Sequence, residues 1–311
     1  MRLGITTLIL ICFSLVLQGQ SDQIVTLDTG SITLEGSLLQ PEGNDLPAVL
    51  IIAGSGPTDR NGNNSIMTNN SLKMLAEGLY ENGIASLRYD KRGIGASALS
   101  SQQMLDVRFD DMVNDAKSWV GFLQTVEGLS DIHVLGHSQG SLVGILTAQT
   151  ENVHSLISVA GPGVNGGEII REQLKVQPPI LQQQADIILD SLEQGHDVKK
   201  VHPMLQALFR PSVQAFVRSW IKYDPQEEIV KLQQPALIVN GTEDIQVGVD
   251  QAEKLHAAHP AAQKMIIEKM NHVLKDVEGD RNANLSTYYK ADLPLSESLI
   301  PEIVNFIKAD Q

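Results

Sequence analysis

Six short apolar runs, separated by segments with helical periodicity, are the feature that most restricts how this chain can fold. Several of them are nearly continuous hydrophobic stretches closed by glycine, which is typical of strands buried on both faces of a parallel sheet. They occupy residues 48–54, 84–90, 132–136, 156–161, 236–241 and 264–270. Amphipathic helical patterns lie at 71–83, 108–126, 141–150, 248–259 and 296–309. This alternation predicts an α/β protein with a mostly parallel sheet flanked by helices.

Two segments depart from the alternation. Residues 24–41 alternate apolar and polar side chains around Asp28-Thr29-Gly30, which predicts an antiparallel hairpin. Residues 162–234 contain amphipathic stretches without a convincing strand, which predicts a helical cap inserted over the strand ends. A separate helical domain is the alternative interpretation. The expected organisation is therefore a core formed by residues 21–161 and 235–311, with the cap between its two parts.

The N-terminal segment, residues 1–20, differs from the rest of the chain. Arg2 is its only charged residue, and an apolar run follows before the polar residues that begin near Gln18. This pattern predicts a secretory signal peptide, and hence a secreted or periplasmic protein, with an uncleaved membrane anchor as the alternative. The only cysteine, Cys12, lies within it. The mature chain is then expected to have no disulfide.

The charge balance bears on partners. The chain has 37 acidic and 23 basic residues, a formal net charge of −14. Such a surface disfavours nucleic acid and anionic membrane as partners. We therefore expect a small-molecule ligand and no membrane association after signal removal, and the sequence leaves the oligomeric state open.

The stretch Gly136-His137-Ser138-Gln139-Gly140 predicts a catalytic nucleophile. It follows directly on the apolar run 132–136 and precedes an apolar helical segment. That strand-turn-helix context is what the G-x-S-x-G pattern requires, because a sharp corner presents the serine and needs small flanking residues. A structural serine in a tight turn is the alternative.

A serine nucleophile needs a histidine base and a carboxylate that orients it, in the chain order serine, acid, histidine for this kind of sheet. Asp244 follows the run 236–241, and His272 follows the run 264–270. Both therefore belong at the same end of the sheet as Ser138. Glu243 and Asp250 compete for the role of the acid, although Asp250 is expected to open the next helix.

Two backbone N–H groups should stabilise the oxyanion of acyl transfer. Gln139 supplies one at the start of its helix, and the loop Gly54-Ser55-Gly56-Pro57 supplies the other. Proline has no N–H, so Ser55 is preferred and Gly56 is the reserve. A plain glycine-rich turn and a phosphate cradle are the alternatives for this loop. We infer no metal and no cofactor, because no H-E-x-x-H occurs and the segment "DRNGNN" departs from a calcium loop.

With these residues in place, "GSGPTDRNGN" (54–63), "LRYDKRGIGAS" (87–97) and "GHSQGS" (136–141) resemble the α/β-hydrolase superfamily. Within it, the chain is similar to a bacterial group of secreted or periplasmic serine esterases related to proline-iminopeptidase-like and lysophospholipase-like hydrolases. The resemblance implies the triad Ser138, Asp244 and His272. It also implies that Asp90 and Arg92 pair structurally in their loop. Ala53 departs from relatives that have histidine before the oxyanion glycine.

The resulting expectation is a serine hydrolase that cleaves carboxylic esters of short to medium acyl chains through an acyl-enzyme on Ser138. A serine aminopeptidase is the first alternative, since Glu168, Glu172, Asp186 and Asp190 of the cap offer carboxylates for a substrate ammonium. A thioesterase or dienelactone-type hydrolase also stays open, and so does a non-catalytic binding protein on the same fold.

Overall fold

An eight-stranded sheet forms the centre of the molecule, in the order β1-β2-β4-β3-β5-β6-β7-β8. The computed structural model describes residues 22–150 and 152–309. The predicted signal peptide, with Cys12, lies outside them. The strands are β1 Gln23–Asp28, β2 Thr33–Leu39, β3 Leu46–Ile52, β4 Ala85–Tyr89, β5 Leu129–His137, β6 Ser155–Val159, β7 Ala236–Gly241 and β8 Gln263–Ile267.

Strands β3 to β8 are mutually parallel, whereas β1 and β2 form an antiparallel hairpin at one edge, with β2 paired to β4. The predicted hairpin and all six predicted core strands are thus confirmed. Because the six parallel strands run the same way, the loops after them meet at one edge of the sheet. We call this edge the carboxyl edge.

Helices cover both faces of the sheet. Along β3, Leu50 and Ile52 pack into one apolar cluster, and Val49 and Ile51 pack into the other. The helices are α1 Ser71–Glu81, α2 Ser101–Asp106, α3 Phe109–Leu123, α4 Gln139–Ala148, α5 Gly166–Leu174, α6 Pro179–Glu193, α7 Gln206–Phe209, α8 Pro211–Ile221, α9 Pro225–Ile229, α10 Val249–Ala258, α11 Arg281–Thr287 and α12 Leu299–Ala309. All ten residues of α4 are buried, the polar Gln139, Ser141 and Thr147 among them.

The interval between β6 and β7 contains helices α5 to α9 and a 3₁₀ turn, Pro203–Leu205. We call this interval the helical insertion. It has an apolar cluster of its own, which includes Leu189, Phe209 and Val217. Its α8 is tied to α3, because the Ser219 hydroxyl accepts a hydrogen bond of 2.8 Å from the Phe109 N–H.

Sequence and structure differ in two places. The strand predicted at 264–270 ends at Ile267, since Lys269 adopts a positive φ of 66° that leaves the strand conformation. The short helices α2 and α11 were not expected, because α2 buries none of its residues and neither helix is long enough for a clear apolar stripe. Within the residues described, no helix is long and apolar enough to cross a membrane.

Candidate active site

Ser138 occupies the corner between β5 and α4 with φ 55° and ψ −124°. A side chain at positive φ is strained by about 1–3 kcal/mol and persists only where the surroundings hold it. Here the Ser138 N–H donates to the Val159 carbonyl at 2.9 Å, and its own carbonyl accepts from the Ser141 N–H at 2.9 Å. The strand beside the corner and the first turn of the helix therefore fix this backbone.

The glycines on either side of Ser138 are required by close backbone contacts. A Cβ on Gly136 would lie 2.1 Å from the Gly140 carbonyl oxygen, and a Cβ on Gly140 would lie 2.4 Å from that of Ile52. No side chain could turn away from such a contact, because the obstructing atoms belong to the backbone. This is the physical reason for the spacing of glycines in the motif.

Asp244 and His272 come together at the carboxyl edge. Their side chains are nearly fully buried, and His272 Nδ1 lies 2.8 Å from Asp244 Oδ2. An ionised carboxylate only accepts, so Nδ1 carries the proton and Nε2 of the neutral ring is left as the acceptor. The other oxygen of Asp244 accepts from the N–H groups of Gln246 and Val247, each at 2.8 Å. The carboxylate is thereby fixed on both sides.

The two competing acids have other positions. The Glu243 side chain is exposed, and its carbonyl oxygen accepts from the Asn284 amide at 2.6 Å. Asp250 lies in the first turn of α10 and pairs with Lys254 at 2.8 Å. Of the three acids, Asp244 alone contacts His272.

The loop Gly54–Pro57, which we call the oxyanion loop, packs against the Ser138 corner. A Cβ on Gly54 would lie 3.0 Å from the Ser138 Cβ, so the absence of a side chain permits this approach. Ser55 and Gly56 are exposed. Gln139 is the first residue of α4, so its N–H has no partner within the helix. The two predicted donor segments therefore flank the serine.

Comparisons with known proteins agree with this architecture. Est1E from Butyrivibrio proteoclasticus with ferulic acid bound superposes with a TM-score of 0.62 at 20% identity, over 91% of this chain and 99% of that one. The Pyrococcus furiosus esterase PF2001 gives a TM-score of 0.60 at 14% identity, over 94% and 91%. The chain has the α/β-hydrolase fold.

A family model and one sequence relative add to this. The model, described as "Serine aminopeptidase, S33", matches residues 67–201 of the chain. Esterase EstD from Thermotoga maritima is 26% identical over 260 residues, which cover 79% of this chain and 59% of EstD. The chain thus spans less than two thirds of the length of that relative.

His137, for which the sequence predicts no role, also takes part in the candidate site. Its Nε2 lies 2.8 Å from the His272 carbonyl oxygen, and because a carbonyl only accepts, Nε2–H is the donor. Burial, with the neighbouring His272 as a smaller cause, lowers the pKa of His137 to about 3. His137 therefore stays neutral. Its hydrogen bond joins the residue directly before Ser138 to the backbone of the loop that carries His272, which we call the histidine loop.

A buried amide network, which sequence reasoning missed, joins the loops that carry Asp244 and His272. Asn271 donates to Asn284 Oδ1 at 3.1 Å and to Thr287 Oγ1 at 2.7 Å, both on α11. Its own oxygen accepts from the N–H groups of Val273 and Lys275, each at 3.1 Å. Asn284 in turn donates to the Glu243 carbonyl. Helix α11 therefore connects the two loops.

The expected pairing of Asp90 with Arg92 is wrong. Asp90 accepts from the backbone N–H of Arg60 and pairs with its guanidinium at 3.1 Å. Arg92 makes two hydrogen bonds to Asp115, at 2.6 and 2.7 Å, which raise the pKa of the guanidinium. Asp90 and Arg92 therefore each pair with a residue outside their own loop, and these two contacts fix the loop.

Most carboxylates proposed for a peptidase site are already engaged by cations. Arg171 pairs with Asp186, Asp190 and Glu193 at 3.5, 2.7 and 2.8 Å. Glu172 pairs with Lys254 at 3.9 Å and also accepts from the Gln251 amide at 3.0 Å. These contacts join α6 and α10 to α5.

Two surface cavities lie away from Ser138, Asp244 and His272. One of about 480 Å³ lies in the helical insertion, between α6 and the segment 198–206, and one of about 530 Å³ is lined by residues near the amino ends of β5 and β6. Neither is lined by Ser138, Asp244 or His272. The arrangement of Ser138, Asp244 and His272 marks the candidate site.

Proposed function

We propose that this α/β-hydrolase cleaves carboxylic esters through an acyl-enzyme on Ser138. The observation that carries the proposal is the buried Asp244–His272 pair, which lies at the same sheet edge as a serine held at positive φ. The bond from His137 to the His272 carbonyl brings the histidine loop to the residue that precedes the serine. A strained serine, an oriented imidazole and two flanking N–H groups together suit acyl transfer.

In the proposed mechanism, Ser138 Oγ attacks the ester carbonyl while His272 Nε2 takes the hydroxyl proton. Asp244 stabilises the imidazolium that forms. The tetrahedral oxyanion accepts hydrogen bonds from the Gln139 N–H and from the oxyanion loop. Collapse breaks the bond to the leaving alcohol, which takes its proton from His272. Water, deprotonated by the same imidazole, then hydrolyses the acyl-enzyme.

The proposed substrates are esters of short to medium acyl chains, with the helical insertion acting as a cap over the strand ends. EstD, which is named an esterase, and Est1E, which has ferulic acid bound, support an ester as the substrate. The mechanism requires no cofactor. The acidic net charge of −14 supports a small-molecule substrate rather than a nucleic acid.

A serine aminopeptidase is the second candidate, favoured by the family description that matches residues 67–201. A peptidase of this kind needs a free carboxylate to bind the ammonium of its substrate. The pairing of Asp186 and Asp190 with Arg171 weighs against it, because a substrate ammonium would have to compete with that guanidinium for both carboxylates. A non-catalytic binding protein is the remaining alternative.

We further propose that residues 1–20 direct the chain to secretion or to the periplasm. The single charge at Arg2 followed by an apolar run supports this. Expression of the full chain in a bacterial host, followed by fractionation and mass determination of the released protein, tests it. Recovery of uncleaved protein in the cytoplasm would contradict it.

The decisive test of the activity is hydrolysis of p-nitrophenyl acetate, butyrate, octanoate and palmitate, with an aminoacyl anilide alongside. Ser138→Ala should abolish ester turnover. Ser118→Ala, an exposed serine on α3, is the matched control and should retain it. Turnover of the anilide alone would support the peptidase. An absence of Ser138-dependent turnover on every substrate would support the binding protein.

A further inference from the structure

Lys91 is a buried lysine on the loop that follows β4. Its residue is 4% exposed, and its ammonium donates to the carbonyl oxygens of Gly54 and Gly56, the latter at 3.1 Å. Lysine is rarely buried to this extent, because desolvation of the charge is costly. Burial lowers the pKa of Lys91 to about 8, against the smaller opposing effects of Asp59 and Asp90. Because burial of this ammonium costs desolvation free energy, we expect the contact to have a specific role.

Both acceptors of this ammonium belong to the oxyanion loop. Strands β3 and β4 are parallel neighbours, so the loops that follow them meet at the carboxyl edge. On another side, the same loop contacts the Ser138 corner through Gly54. The oxyanion loop therefore lies between Ser138 and Lys91. The Lys91 ammonium holds the loop by hydrogen bonds to two of the loop's carbonyl oxygens.

The direction of the Gly54 carbonyl fixes the direction of the next N–H. In a planar trans peptide the C=O and the following N–H point in opposite directions, and the described backbone contains no cis peptide. With the Gly54 carbonyl on Lys91, the Ser55 N–H points away from the lysine. The Gly56 carbonyl precedes Pro57, which has no N–H, so its contact with Lys91 orients no second donor.

The Gly56 N–H is oriented by another group. It shares its peptide with the Ser55 carbonyl, which accepts from the Thr58 hydroxyl at 3.0 Å. The two possible donors of the loop are thus controlled separately, Ser55 N–H by a buried ammonium and Gly56 N–H by an exposed hydroxyl. The ammonium also polarises the peptide on which it acts, which strengthens the Ser55 N–H as a donor.

We infer that Lys91 is a positioning residue, which holds the oxyanion loop so that the Ser55 N–H, rather than that of Gly56, is the second oxyanion donor beside Gln139. The inference rests on the proposed function and goes beyond it by assigning the donor and the group that orients it. Lys91 itself does not contact the substrate. Its removal should affect the transition state more than the bound ester.

The first experiment measures Lys91→Met. We expect kcat on the preferred p-nitrophenyl ester to fall about 10²-fold, the effect of losing one oxyanion donor, with KM changed less than about 3-fold. Affinity for a trifluoromethyl ketone should fall by the same factor as kcat/KM, because Ser138 Oγ adds to its carbonyl and leaves an oxyanion at that position. Equal weakening of ester and ketone binding, or an unchanged kcat, would overturn the inference.

Arg88→Met is the matched control. Arg88 is also a buried cation, 1% exposed, but its guanidinium donates to the Asn61 side-chain oxygen at 3.0 Å and pairs with Asp22. The variant should retain kcat within a few-fold while losing a buried positive charge. If both variants lose kcat equally, loss of a buried positive charge in general explains the effect and the inference fails.

A second measurement does not depend on the folding of any variant. In wild-type protein with ¹⁵N-labelled serine, glycine and glutamine, addition of the trifluoromethyl ketone should move the Ser55 and Gln139 amide protons downfield. A comparable shift of Gly56 in place of Ser55 would overturn the assignment. Loss of turnover in Ser138→Ala together with an unchanged Lys91→Met would refute this inference alone, whereas turnover by Ser138→Ala would refute the proposed function.

Discussion

Substitution of Gly140 by alanine tests whether the packing at the serine corner determines the proposed chemistry. A Cβ at this position would lie 2.4 Å from the Ile52 carbonyl oxygen and 2.8 Å from that of Ala53, whereas ordinary contacts begin near 3.4 Å. Relief therefore requires the end of β3 and the start of α4 to separate by about 1 Å. Overpacking of a core against atoms that cannot rotate away typically costs about 1–3 kcal/mol.

The rate should fall together with the stability. The displaced carbonyls lead directly into Gly54 and Ser55, so the oxyanion loop moves with them. A misplacement of about 1 Å in a catalytic arrangement lowers the rate about 10²-fold. We therefore expect Gly140→Ala to lose 1–3 kcal/mol in the free energy of unfolding and about 10²-fold in kcat/KM.

Urea denaturation followed by circular dichroism gives the stability, and ester hydrolysis gives the rate. Gly121→Ala on α3 is the control, because a Cβ there meets no atom within 4 Å. Replacing this helical glycine should stabilise the protein by about 0.5–1 kcal/mol without changing the rate. A Gly140→Ala protein with wild-type stability and rate would refute the argument that backbone contacts impose the glycine.

Three other perturbations have defined outcomes. Asp244→Asn should lower kcat about 10⁴-fold with little change in KM, since the imidazole loses its orienting acceptor; a loss below 10-fold in steady-state assays would contradict this. Asn271→Ala leaves two buried N–H groups without their acceptor and should cost about 2–4 kcal/mol in urea unfolding, and unchanged stability would contradict it. The pKa values of Lys91 and Lys275 are lowered to about 8 from 10.5, so above pH 8 the unfolded chain binds more protons and the free energy of unfolding rises with pH. Urea midpoints at pH 7.5 and 9.5 should show this rise, on the order of 1 kcal/mol per lysine, and Lys275→Met should reduce it; a fall would reverse the sign of the argument.

The sheet and the main polar residues were predictable because their signals are local. Each core strand is a short apolar run with a glycine or polar loop after it, and parallel strands place those loops at one edge. Ser138, Asp244 and His272 each follow such a run, so their meeting at that edge follows from topology. The structure places them accordingly, and their catalytic roles remain the proposal that the Ser138→Ala assay tests.

The supporting residues were not predictable, because their partners are distant in sequence. Asn271 and Asn284 belong to a loop and to a short helix without a periodic apolar stripe. Lys91 resembles a surface lysine until the fold brings the Gly54 carbonyl to its ammonium, 37 residues away in sequence. Arg92 pairs with Asp115 rather than with Asp90 for the same reason. Side-chain pairing depends on tertiary contact, which residue spacing does not encode.

The helical insertion divides this chain into parts that can vary independently. Every residue to which the proposed chemistry assigns a role lies outside it, in loops supported by the sheet and by α11. Its own apolar cluster gives it a separate source of stability. The exchangeable segment runs from α5 to α8, and its seam with the core includes the Ser219–Phe109 hydrogen bond, the stacking of Trp220 on Phe109 and the contact of Glu172 with Gln251 on α10. Libraries that exchange this segment and retain the seam would test the proposed cap role, with a changed choice of ester and an unchanged requirement for Ser138 as the expected result.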